Sequence, residues 1–167
     1  MFNSCISLCS TAVLFVVLFT YSLTCCAATT LYLTRHYEKE SLPSNPPLSP
    51  KGQARAQQLE KVLQSTDIAA IYSTEYLRCV QTATPLARLK GLTLNYYQPT
   101  ELVELASALR KNQINALVVG HSNTTPELIR LLGGPVFSIK EEDYGTLFEI
   151  TLDAGTTTVT LHSVQLP

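Results

Sequence analysis

The first thirty-four residues carry no Lys, Arg, Asp or Glu, and the apolar stretch that ends them runs straight into Arg35 and His36 in "TLYLTRHYEKE". Two later segments repeat that pattern: "YSTEYLR" brings Arg78 shortly after a strand-like run, and "ALVVG" delivers His121. Arginine grips phosphoryl oxygens through a planar fork and keeps its charge at any ordinary pH. Neutral imidazole is a nucleophile near pH 7. Two guanidinium groups and two imidazoles brought together would therefore hold a compact tetrahedral anion and attack its centre. One histidine would take the phosphoryl group, the other would stabilise its equatorial oxygens, and water would then hydrolyse the phosphohistidine. A carboxyl group would protonate the leaving alcohol and later activate the water. Positioning and charge compensation supply most of the acceleration in such a scheme, which calls for no metal and no cofactor.

These residues are useful only if the fold assembles them. "SLPSNPPLSP" has four prolines in ten residues and reads as a loop, ending with Ser49 placed to cap a helix and Pro50 in its first turn. Leu59, Val62 and Leu63 line one face of that helix, over about 51–64. A strand "IAAIYS", a helix from Glu75 to Lys90, a strand "LTLNYY", a helix over about 100–111 and the strand "ALVVG" follow. The next helix, over about 126–132, is expected to have Thr125 as its cap and "GG" as its stop. "GTLFEITL" and "TTVTLHSV" pair around "DAG" as a hairpin. Alternating strands and helices with a terminal hairpin predict an α/β three-layer sandwich whose sheet is mixed and mostly parallel. Ligands of such folds collect outside the carboxyl ends of the strands, where Arg35, His36, Arg78 and His121 would meet.

A chain of 167 residues fits one domain. Its net charge of -1 provides no broad basic field, which excludes general nucleic-acid binding. "TAVLFVVLFTYSL" is long enough for a secretory core and short for a membrane span, and "CCAATT" offers a cleavage site after Ala28. Residues 1–28 are accordingly expected to form a signal peptide, or a retained or lipid-attached membrane anchor at Cys25 or Cys26, leaving 29–167 as an exported, periplasmic or envelope-associated domain. Cys79 is the one cysteine in that body and is expected to be a buried free thiol. His162 is expected on an exposed strand position, and Glu141, Glu142 and Asp143 in a solvated loop.

"LTRHYEK", "YSTEYLRCVQTATPLA" and "VVGHSNTTPELIRLLGG" resemble the three signatures of the histidine phosphatase, or phosphoglycerate mutase-like, family, and "PPLSPKGQARAQQL" resembles the loop and helix after its first motif. The similarity spans residues 31 to about 162 and points to a compact bacterial branch without lid insertions. The resemblance implies that His36 is the phosphorylated nucleophile, that Arg35 and Arg78 clamp phosphate, and that His121 is the second histidine. Asn123 would donate to phosphate or substrate. Family position puts the proton donor at Glu101, with Glu104 as the rival. Tyr37 stands where the family usually has glycine, and a side chain there is expected to narrow the pocket or alter the backbone.

Three functions are compatible with this reading. The first is a metal-independent phosphatase acting on small phosphomonoesters, sugar or nucleotide phosphates, or protein phosphohistidine. The second is a catalytically weak or inactive protein of the same fold that binds phosphorylated ligands. The third is a two-histidine metalloenzyme, which needs a carboxylate as third ligand. The sequence leaves the oligomeric state open.

Overall fold

The computed structural model describes residues 28–42 and 44–166, and the expected leader lies, Ala28 apart, outside them. β1 (Thr29–Arg35), β2 (Ala70–Ser73), β3 (Leu94–Tyr96) and β4 (Ala116–Gly120) run parallel, and β5 (Thr146–Asp153) and β6 (Thr156–Ser163) add the hairpin. The sheet order is β3-β2-β4-β1-β5-β6, which puts β1 and β4 in the centre. β4 is buried at every position, as befits a strand covered on both faces.

Helices α1 (Pro50–Leu63) and α2 (Leu77–Lys90) share one core with Ile71, Leu117 and Val119. On the other face α3 (Leu102–Asn112) and α4 (Thr124–Leu131) pack on Leu31, Leu33, Val118 and Phe148. The expected three-layer α/β sandwich is the observed one. Among the described residues no helix is long and apolar enough to cross a membrane.

Two helix starts differ from expectation for identifiable reasons. α2 begins at Leu77, because Tyr76 is extended and offers no side-chain cap, while Asn45 of the proline-rich loop accepts the Leu77 amide through Oδ1 at 3.0 Å. α4 begins at Thr124 with Asn123 as its cap position. Thr124 Oγ1 instead accepts the His121 amide at 2.8 Å, and Thr125 Oγ1 donates to the Thr34 carbonyl at 3.4 Å. Both threonines thus tie α4 to the site-bearing strand ends. Ser49 caps α1 as expected, accepting from the Gly52 amide.

Behind the site, Glu38 and Arg55 form an ion pair at 2.6 Å with side chains 13% and 11% exposed, and Arg55 also donates to the Val164 carbonyl at 2.7 Å. Burial pushes the Glu38 carboxyl up, but hydrogen bonds and charge from Arg55, with Lys51, outweigh it and hold the group below its ordinary value. Stability from this carboxylate is therefore present above the usual glutamate range and lost as pH falls through the lowered value. Glu38→Gln leaves the Arg55 charge unpaired and is expected to cost about 3 kcal/mol. Urea unfolding of the variant across pH 3 to 7 checks both the loss and its disappearance in acid.

Candidate active site

β1, β2 and β4 all release the chain at the same rim. The His36 amide donates to the Gly120 carbonyl at 2.9 Å, which locks the two histidine-bearing ends side by side. Gly120 is obligatory for this junction, since a Cβ there would stand 2.7 Å from Thr124 Oγ1 and 2.9 Å from the Tyr97 hydroxyl. The His36 and His121 rings come to 5.5 Å between centroids, edge to face.

His36 is 3% exposed, and its Nδ1 lies 2.8 Å from the Tyr37 carbonyl oxygen. A carbonyl only accepts, so Nδ1 carries the hydrogen and Nε2 keeps its lone pair. Burial, opposed by that carbonyl and reinforced by the charges of Arg78 and Arg35, holds the imidazole down to about 3. His121 has Thr74 Oγ1 3.2 Å from Nε2 and Arg78 Nη2 3.4 Å from Nδ1. A guanidinium only donates, so Nδ1 accepts and Nε2 bears the hydrogen. Burial, followed by Arg78 and Arg35, lowers His121 to about 4. Both rings are thus neutral in the empty site at pH 5 to 8. Imidazole NMR resonances are expected to titrate only below about pH 5, and a midpoint near 6.5 for either ring would refute this electrostatic reading.

The histidines open into a cleft of about 480 Å³, lined also by Lys39, Arg78, Ser122, Asn123 and Glu141, with Tyr76 and Pro99 as walls. Arg78 stacks on the Tyr76 ring at 4.5 Å, and its Nε is buried without a partner. His36, Arg78, His121 and Asn123 are therefore brought together as expected.

Arg35 is near but differently engaged. It is 3% exposed and does not line the cleft. Its Nη1 donates to the carbonyls of Lys140, Glu141 and Asp143 at 2.7, 2.8 and 3.3 Å, and its Nη2 to the Glu141 carboxylate at 2.8 Å. Arg35 Nε is left buried and unpartnered. The acidic run is solvent-exposed as expected, and Glu141 in addition faces the cleft, because a buried guanidinium on β1 requires acceptors.

Glu101 is exposed at the cap position of α3, two residues beyond Pro99, and does not line the cleft; Glu104 is exposed on the same helix. Tyr37 does not narrow the pocket. Its ring is fully buried with Leu48, Leu59 and Cys79, and its φ is not positive. Cys79 is the buried free thiol expected, and its Sγ lies 3.8 Å from His121 Nε2. Burial pushes that thiol up to about 11. His162 is exposed on β6, pairs with Glu149 at 2.7 Å and does not line the cleft. Among the described residues no three His, Cys, Asp or Glu side chains gather as a metal-ligand set.

Sequence reading missed Lys39 and Glu141, whereas Tyr76 is one of four tyrosines, with Tyr72, Tyr96 and Tyr97, expected to mix core packing with pocket edges. Lys39 was visible as the next cation after His36, whereas nothing in the acidic run distinguishes Glu141 from its neighbours.

The model of the Histidine phosphatase superfamily (branch 1) matches residues 31–107. Over that stretch, 77 of the 167 residues, the chain resembles the histidine phosphatase superfamily in sequence. No curated protein matches the sequence. Among solved structures, the protein histidine phosphatase SixA bound to tungstate is similar at 17% identity and a TM-score of 0.67, over 81% of this chain and 97% of that one. The α-ribazole phosphatase of Shigella flexneri has 17% identity and a TM-score of 0.67, over 80% and 96%. A mycobacterial glucosyl-3-phosphoglycerate phosphatase has 14% identity and a TM-score of 0.66, over 81% and 98%.

Proposed function

We propose that the chain is a phosphatase that cleaves small phosphomonoesters through a covalent phosphohistidine on His36. The observation that carries this reading is the fixed tautomer of His36, with Nδ1 committed to the Tyr37 carbonyl and Nε2 free beside Arg78 and His121. Nucleophilic attack needs that lone pair, and it needs the attacking ring neutral. Arg78 and His121 then bear the negative charge of the phosphoryl oxygens, with Asn123 donating from the cap of α4. Arg35 contributes charge from below, and its Nε and that of Arg78 are buried donors still lacking an acceptor. Phosphate binding raises the His121 pKa and turns the ring into a stronger donor.

A carboxyl group must pass a proton to the leaving alcohol. Sequence position favours Glu101, at the head of α3, and geometry favours Glu141, which lines the cleft. The scheme uses no metal.

Leaving-group identity is less constrained. The three similar structures are named for a protein phosphohistidine, a ribazole phosphate and a glucosyl phosphoglycerate, so this scaffold accommodates very different phosphoryl donors, one a phosphoramidate and two of them esters. A cleft of about 480 Å³ that is open to solvent suits a small phosphomonoester best, and protein phosphohistidine is the second substrate class. With export through residues 1–28, proposed from the sequence alone, an envelope or extracellular phosphomonoester is favoured.

One observation favours a second reading, a phospho-ligand binding protein with little turnover: the amino groups of Arg35 are already taken by the 140–143 loop. Phosphate release from a panel of aryl, sugar and nucleotide monophosphates separates the two. Turnover above background supports the phosphatase, and vanadate affinity without any release supports the binding protein.

A further inference from the structure

The proposed reaction needs one proton delivered to the leaving oxygen and one taken from water, and resting on that reading, the carrier can be argued from geometry. Glu141 is the one carboxylate that lines the cleft among the described residues. Its position is held from two sides. Oε2 accepts from Arg35 Nη2 at 2.8 Å, and Oε1 accepts from the hydroxyl of Ser122, the residue next to His121, at 2.5 Å. Its backbone is fixed as well, because the carbonyls of Lys140, Glu141 and Asp143 converge on Arg35 Nη1. The carboxylate is nevertheless 73% exposed, so a substrate or water can reach it. Glu38, by contrast, is enclosed in its pair with Arg55 and cannot exchange protons with a ligand.

We propose that Glu141, on the loop between α4 and β5, is the proton carrier of this site. A substrate monoanion, ROPO₃H⁻, passes its proton to the Glu141 carboxylate. His36 Nε2 forms the N–P bond as the P–OR bond breaks, and the RO⁻ oxygen takes the proton from Glu141, leaving as ROH. Water then attacks phosphorus while Glu141 accepts its proton, and the N–P bond breaks with its electron pair returning to Nε2. The proton on Glu141 departs with phosphate as H₂PO₄⁻. Before substrate arrives the carboxyl sits below its ordinary value, held there by the Ser122 hydroxyl, against a burial penalty, and then by the charges of Arg35 and Lys39. It therefore begins as the base that the first transfer requires.

The test compares kcat/KM for p-nitrophenyl phosphate, whose leaving group needs no proton, with kcat/KM for glycerol phosphate, whose alkoxide does. Glu141→Gln is expected to lose about 10²-fold or more on glycerol phosphate and less than about tenfold on the aryl ester. The same variant should show a burst of p-nitrophenol and accumulate phosphoenzyme, because dephosphorylation also lacks its base. Glu142→Gln, an exposed neighbour on the same loop, is expected to match the wild type on both esters. Equal losses on both esters in Glu141→Gln would mean that Glu141 only positions Arg35, and would overturn the proposal. So would a gain on both, which would make Glu141 an occupant of the anion site, or an alkyl-selective loss in Glu101→Gln. Wild-type protein inert toward both esters would instead refute the phosphatase reading itself.

Discussion

His36→Ala is expected to lower phosphatase turnover by about 10⁴-fold or more and to abolish the acid-labile phosphate that the wild type acquires from substrate. The magnitude follows from the role: without the Nε2 lone pair no covalent intermediate forms, and the remaining residues can only bind and polarise the ester. The loss should appear in kcat far more than in affinity for phosphate, since Arg78, His121 and Asn123 keep their places. Folding is expected to survive, because His36 lines the cleft and its removal opens a space through which water can reach the buried Tyr37 carbonyl. Rapid-quench labelling of the wild type and the variant reads both quantities. An alanine variant that still forms the same acid-labile species would place the nucleophile elsewhere.

Arg78→Ala is the second large effect, an expected loss of about 10²–10³-fold in kcat/KM with weaker vanadate inhibition. Arg78 is one of two guanidinium groups at the site, and the one that lines the cleft. Its stacking on Tyr76 at 4.5 Å and its contact with His121 Nδ1 at 3.4 Å fix the fork in place without consuming its Nε. Arg78→Lys is expected to recover little of this loss, because an ammonium cannot present two parallel donors or stack in the same way. Removing the guanidinium also removes one of the charges that depress both histidines. The NMR midpoints of His36 and His121 should accordingly move upward in Arg78→Ala, which a purely steric role would not produce. Full rescue by lysine would contradict the bidentate clamp.

Much of this site was legible because its residues follow strands whose apolar runs are unambiguous. "ALVVG" is β4 to the residue, and Ser49 with Pro50 marked the start of α1 correctly. Arg78 fell on the first turn of α2 because Leu77, not Glu75, starts it; the start depends on Asn45, thirty-two residues earlier, and no local signal encodes that. Tyr37 misled for a related reason. A residue replacing glycine suggests obstruction, yet the ring turns into the α1–α2 core and leaves only its carbonyl at the site, where it sets the tautomer of His36. Arg35 and Glu141 were hardest, since their pairing spans 106 positions and joins the end of β1 to a loop of like charges. Charge patterning marks such a loop as polar, and only the fold decides which of its carboxylates meets a buried arginine.

The central claim is that His36, Arg78 and His121 converge on one tetrahedral anion, and a crystal structure with orthovanadate tests it most directly. The account predicts a single vanadate in the cleft with His36 Nε2 in an apical position, and Arg78 and His121 donating to the equatorial oxygens. Vanadate bound elsewhere, or bound in the cleft with His36 Nε2 turned away from the metal, would contradict it.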